Sequence, residues 1–124
     1  MDYKELKEAL NGLYFSKNGD YISTGYYLNG EALGFHISFL EDKYVRICTN
    51  EAFALWFENV YVVEREEYMP FVERICNRFG VAWSDGERCL FIKFRRNELS
   101  LAEAVTRLHA AALLCASLGH DLHL

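Results

Sequence analysis

From residue 32 to residue 40 the chain alternates strictly. Leu33, Phe35, Ile37 and Phe39 fall on one side, and Gly34, His36 and Ser38 on the other. A period of two marks a half-buried strand. Residues 21–28 read as the strand before it, with Ile22, Tyr26 and Leu28 inward, and Asn29-Gly30 between the two is a hairpin signal. After Glu41-Asp42-Lys43 the chain returns over 44–49, with Val45 and Ile47 inward. A second hairpin is predicted from 81–84 and 88–95, joined by a turn containing Asp85-Gly86. In it Leu90, Ile92 and Phe94 face one way, and Phe91, Lys93 and Arg95 the other. Residues 13–15 read as a further short strand.

Elsewhere the period is helical. Residues 2–10 predict a short helix through Tyr3, Leu6 and Leu10. Asn50 is placed to cap a helix over 51–58, where Phe53, Trp56 and Phe57 share a face. Residues 60–63 fit either a strand or an extended link. Residues 66–79 predict a second helix with Pro70 in its first turn and Gly80 as its stop. The longest helix is expected over 97–119. Ser100 and Glu103 form a capping box there, and Gly119 ends it. Leu101, Val105, Leu108, Ala112 and Cys115 recur on one face of this helix, widened by Ala104, Ala111, Leu114 and Leu118. The order is helix, three-strand meander, helices, hairpin, long helix. It predicts the α+β class: a single antiparallel sheet of about five strands with helices packed mainly on one face. Residues 1–124 form one domain in this reading, with 119–124 as a frayed tail.

Composition narrows the class. A hydrophobic share of 52% with a single proline excludes a disordered chain. No stretch approaches the roughly 20 apolar residues of a membrane span. The charged start, Met1-Asp2-Tyr3-Lys4-Glu5, is unlike a signal peptide, so a cytoplasmic protein is expected. Of the four cysteines none lies in a C-x-x-C pair, and all read as buried small hydrophobes.

Charge adds a local feature. The net charge is −5, and residues 51–73 carry all of it, with six acids (Glu51, Glu58, Glu64, Glu66, Glu67, Glu73) against the one base Arg65. The remaining acids and bases cancel. A basic stripe, Arg88, Lys93, Arg95 and Arg96, lies nearby in sequence, and Arg95 and Arg96 are expected to pair with Glu87, Glu98 or the acidic segment. Overall acidity argues against nonspecific nucleic-acid binding, which requires phosphates to be neutralised.

No P-loop, Gly-x-Ser-x-Gly or Gly-x-Gly-x-x-Gly occurs, and no catalytic residue, cofactor or metal site is expected. His36 and His109 read as structural histidines, and His120-Asp121-Leu122-His123 as a tail. The candidate site is a partner-binding surface in the acidic segment. Trp56, Tyr61 and Tyr68 would be its aromatic anchors, and Glu64, Glu66 and Glu67 its charges. Aromatic anchors ringed by charge suit protein recognition.

Four stretches carry a family resemblance: Tyr21-Ile22-Ser23-Thr24, Tyr44-Val45-Arg46-Ile47, Arg78-Phe79-Gly80-Val81, and Glu98-Leu99 through Ala104-Val105-Thr106-Arg107-Leu108 to Ala111. Together they resemble a bacterial and phage family catalogued as domain of unknown function eighteen twenty-eight. The resemblance runs from Tyr21 to Ala111 and implies a prokaryotic or prophage origin. The chain departs from that pattern at Thr49-Asn50-Glu51-Ala52, where an Asp-Gly turn is expected. In layout the chain is also similar to type III secretion chaperones, which are small acidic cytosolic dimers that hold an extended peptide.

The functional expectation is therefore a non-enzymatic protein-binding module. It would be an inhibitor or antitoxin-like protein that occludes a basic or nucleic-acid-binding partner with its acidic surface. A homodimer is expected. The alternatives are a chaperone-like dimer that binds an extended peptide, and a small enzyme of unknown chemistry.

Overall fold

A strand that is apolar on one side must be covered there, and in this chain helices do so. The structure, a computed structural model, describes residues 14–15, 21–28, 30–41, 43–60 and 65–123. Its strands are β1 (Tyr14–Phe15), β2 (Tyr21–Leu28), β3 (Glu31–Leu40), β4 (Tyr44–Thr49), β5 (Ala82–Ser84) and β6 (Cys89–Arg95). Its helices are α1 (Glu51–Val60), α2 (Arg65–Phe79) and α3 (Leu101–His123). The strands form one antiparallel sheet in the order β1-β2-β3-β4-β6-β5. Without the two-residue β1 it is the five-stranded sheet that the pattern predicts. The helix expected over 2–10 lies outside the described residues, as do 61–63.

The register follows the alternation. Phe35 pairs with Thr49, Ile37 with Ile47, Val45 with Phe94 and Ile47 with Ile92. All of these are buried beneath the helices, together with Leu33 and Leu90. Two inward expectations fail at the margins. Phe39 has the right parity but is 39% exposed, because the helical layer does not reach the far end of β3. Tyr26 is 45% exposed. A bulge between Ser23 and Tyr27, with Gly25 at φ 75°, breaks the alternation of β2 just before it. The Thr24 hydroxyl pins that bulge by donating to Leu33 O at 2.8 Å and accepting from Tyr26 N at 3.1 Å.

α3 packs on β4, β6 and α2. Its predicted face is buried at Leu101, Ala104, Val105, Leu108, Ala111, Ala112 and Cys115, while Leu114 is half-buried and the Leu118 side chain lies outside the described residues. Ser100 caps it by accepting from Glu103 N at 3.1 Å. The capping box is only half made, because the Glu103 carboxylate turns to Arg107 Nε at 3.0 Å. Gly119 does not stop the helix, which continues to His123. Glycine lowers helix propensity without forbidding a helical backbone. α2 begins one residue earlier than predicted, so Pro70 falls in its second turn and leaves Glu66 O without its intrahelical donor. Pro70 is exposed, so water can reach that carbonyl. Gly80 does end α2, at φ 68°, with Val81 N donating to Cys76 O at 3.1 Å.

Candidate functional site

The acidic segment is split between an inner and an outer side. Trp56 and Tyr68, expected at the surface as anchors, are 3% and 4% exposed and belong to the core. The reason is geometric, since Trp56 lies on the α1 face that carries Phe53 and Phe57, and Tyr68 comes from α2 to pack against Phe57. Phe53 lies 5.5 Å from Trp56, and Phe57 lies 5.2 Å from Tyr68 and 4.6 Å from Trp83. The Tyr68 hydroxyl donates to Asp85 Oδ1 at 3.0 Å and accepts from Arg88 Nη1 at 2.6 Å, while Trp83 Nε1 donates to the same carboxylate at 3.2 Å. Tyr61 and Glu64 lie outside the described residues.

The carboxylates do face out. Glu51, Glu58, Glu66, Glu67 and Glu73 are all exposed. Glu66 and Glu67 occupy the first turn of α2, where the helix dipole favours a negative charge. Among the described residues Glu58, Glu66, Glu67 and Glu73 have no ion pair. The anchor missed in the sequence is Leu55, which is 53% exposed. It lies four residues after Glu51 and three before Glu58, so the three form one stripe on α1. Its signal was legible: a leucine on the polar side of a helix whose other face already held three aromatics. At the end of α2 the sign reverses with exposed Arg74 and Arg78.

The opposite face of the sheet carries no described helix. It presents Tyr21, His36, Tyr44, Arg46, Cys48, Cys89, Phe91, Lys93 and Arg95. Arg46 lies 4.5 Å over the Phe91 ring and 3.1 Å from Glu87, while Lys93 lies 4.9 Å over Tyr44. Arg95 pairs with Glu98 at 3.7 Å. The basic stripe is thus engaged within the chain.

On this face His36 stands directly opposite Cys48 and reaches Glu51 Oε2 at 3.4 Å. The backbone amide of Glu51 and the His36 ring hold the Glu51 carboxyl below its usual range. The Tyr21 ring lies over Gly34, where any side chain would strike it. Its hydroxyl accepts from Asn50 Nδ2 at 3.0 Å. Cys48 is half-buried and its thiol is lowered to about 6, first by the neighbouring Cys89 thiol and then by Arg46 and His36. Cys89 is pushed the other way by Cys48 and by burial.

No protein-family model, curated protein or solved structure matches this chain. The site is accordingly read from its own geometry. No group of His, Cys, Asp and Glu suited to a metal ion occurs among the described residues. Nor is any described helix long and apolar enough to cross a membrane.

His109 sits edge-on to Phe35 at 5.9 Å, and its Nε2 is buried without a hydrogen-bond partner among the described residues. Burial lowers its pKa, so the imidazole is neutral at pH 7. The unfolded chain therefore binds this proton more readily than the folded one. Stability should fall as pH drops below about 6.5, the unfolded value, with the loss complete below the folded pKa. Urea unfolding of the parent and of His109→Leu from pH 7.5 to 5 checks this, with a flatter profile expected for the variant. The Glu51 contribution falls in a separate, more acidic window.

Proposed function

We propose that this chain is a non-enzymatic protein-binding module whose contact surface is the carboxylate face of α1 and the start of α2, with Leu55 as its apolar anchor. The supporting observation is the sorting of residues 51–73. Every described aromatic of α1 turns inward, while every described glutamate of the segment stays in solvent. The helix dipoles favour Glu51, Glu66 and Glu67 where they stand, but the gathered carboxylates repel one another within a screening length of about 8 Å. An acidic face of this kind speeds and orients encounter with a basic partner. The mechanism is occlusion: carboxylates stand where a basic or nucleic-acid-binding protein would hold its own ligand. This is the behaviour of an inhibitor or antitoxin-like protein of bacterial or prophage origin, active in the cytoplasm and as a homodimer.

The triple variant Glu58→Lys, Glu66→Lys, Glu67→Lys tests this reading. Exposed charges contribute about 0–1 kcal/mol each, so the fold should survive with a nearly unchanged unfolding midpoint. Capture from the native host, with parent and variant compared side by side, should lose the partner in the variant. Its binding should also depend less steeply on salt. Equal recovery by both proteins across the salt range would remove the acidic face from consideration.

A second reading rests on an open groove of about 280 Å³ between α2 and α3, lined by Phe71, Ile75 and Leu114 and flanked by Arg74 and Arg78. An apolar floor beside two arginines of α2 suits an apolar side chain of an acidic extended peptide, as in a chaperone-like dimer. Leu114→Arg would block that groove and leave the α1 surface untouched.

A further inference from the structure

Of the four cysteines, two stand together on the open face of the sheet. Cys48 ends the outward row Tyr44, Arg46, Cys48 of β4, and Cys89 begins the outward row Cys89, Phe91, Lys93 of β6. The last ladder pair between these strands is Cys48 with Phe91, so Cys89 lies diagonally next to Cys48 on the same face. Beyond it β4 turns away into α1. There Thr49 Oγ1 replaces the ladder, accepting from Leu90 N at 3.1 Å. No β4 residue therefore stands opposite Cys89, whose ladder partner is Ser84 of β5 on its other side, and its thiol interacts with that of Cys48. The two differ in access. Cys48 is partly open to solvent, whereas Cys89 is 3% exposed and its Sγ donates to Glu87 Oε2 at 3.6 Å. Arg46, two residues away on its strand, and the His36 imidazole, opposite it on β3, flank the accessible sulfur.

We propose that Cys48 and Cys89 form a peroxide-reactive dithiol in which Cys48 is the attacking thiolate and Cys89 the resolving thiol. The Cys48 thiolate attacks one oxygen of hydrogen peroxide. The O–O bond breaks, Cys48 becomes a sulfenic acid, and hydroxide leaves and takes up a proton as water. The Cys89 sulfur then attacks the Cys48 sulfur. The S–O bond breaks and the hydroxyl leaves as a second water with the Cys89 proton. Two electrons pass from the thiol pair to the peroxide, and a disulfide joins β4 to β6. Cys89 needs no solvent access for this, since its only reaction partner is the neighbouring sulfur. Glu87, which accepts the Cys89 S–H hydrogen bond, can relay that proton to the departing hydroxyl.

The folded parent chain tests the proposal directly. It is treated with hydrogen peroxide, blocked with iodoacetamide, digested without reductant and mapped by mass. A Cys48–Cys89 linked peptide is expected, with Cys76 and Cys115, both buried in the helical layer, recovered as free thiols. Cys89→Ser should instead stop at a Cys48 sulfenic acid that a cyclic diketone traps. Cys48→Ser should consume peroxide at least tenfold more slowly. Iodoacetamide alkylation of the unmodified parent supplies a readout that requires no variant to fold.

The groups facing Cys48 are Cys89, Arg46, His36 with its partner Glu51, Glu87, and Lys93 beside Arg46. Their combined effect should place the midpoint of the alkylation rate near pH 6, where an ordinary thiol shows about 8.5. At pH 7 that means about 30-fold more thiolate. Its weaker basicity cancels about tenfold of this, leaving a net advantage of about threefold. Cys76, whose thiol burial pushes up to about 11, is the slow internal control. A parent in which Cys48 stays reduced, or oxidises without linking to Cys89, overturns the proposal. So does an alkylation profile for Cys48 centred at or above the ordinary thiol range.

Discussion

Replacing Trp56 by alanine is expected to lower the stability of the fold by about 3–5 kcal/mol, the range for deleting a buried aromatic. The ring is 3% exposed and packs at 5.5 Å on Phe53, which is itself fully buried. Phe53 in turn meets Trp83 at 6.5 Å, so the cavity would open where α1, β5 and the centre of the sheet meet. Small domains are held by about 5–15 kcal/mol in total, and the variant should unfold at a much lower denaturant concentration. Chemical unfolding followed by far-UV circular dichroism measures this. A loss below 1 kcal/mol would mean that the ring is dispensable to the core and would restore Trp56 as a surface anchor.

Leu108→Ala should cost about 2–5 kcal/mol. Leu108 is fully buried at the middle of α3, the helix that lies on β4, β6 and α2 together. Its neighbours on that face include Ala104, Ala111 and Ala112, all fully buried. Alanines bring the helix backbone close to the sheet, so the few large side chains of this face supply most of its apolar volume. Little nearby can relax into the void, which places the expected loss in the upper half of the range. Leu113→Ala, half-buried on the same helix, is the control and should cost clearly less. Equal losses at the two positions would contradict the packing of α3 as described.

Much of this architecture was legible because alternation and helical spacing report burial directly. The Leu90, Ile92, Phe94 row of β6 and the Leu101, Val105, Leu108 row of α3 are where the pattern places them. The misreadings share a physical origin: periodicity assigns a face but not the extent of its cover. Phe39 keeps its parity and loses its cover at the end of β3. Tyr26 loses its parity to a bulge that only the pairing of β2 with β3 reveals. Gly119 continues the helix, because glycine lowers helix propensity without forbidding a helical backbone.

At the candidate site the same limit reversed the role of the aromatics. Interleaving with glutamates suggested exposed anchors, yet Trp56 shares the buried face of Phe53 and Phe57, and Tyr68 carries its hydroxyl into a network with Asp85 and Arg88. Leu55 was overlooked because one leucine in an apolar helix is unremarkable until the other face is filled. Cys48 and Cys89 were read as inert for lack of a C-x-x-C spacing. Their outward parity, beside Arg46 in β4 and Lys93 in β6, was present in the sequence. Their adjacency follows only from the pairing of β4 with β6, which are separated by two helices and a strand.

Leu55 and Trp56 are consecutive in the chain, and the functional account assigns them opposite roles. Leu55→Ala is therefore its most direct test, measured as equilibrium binding to the captured partner alongside unfolding of the isolated chain. The account predicts a stability change within about 0.5 kcal/mol, as for an exposed position. It also predicts binding weakened about tenfold or more, as for a residue at the centre of an interface. Unchanged affinity with Leu55 removed would contradict the assignment of the α1 carboxylate face as the contact surface.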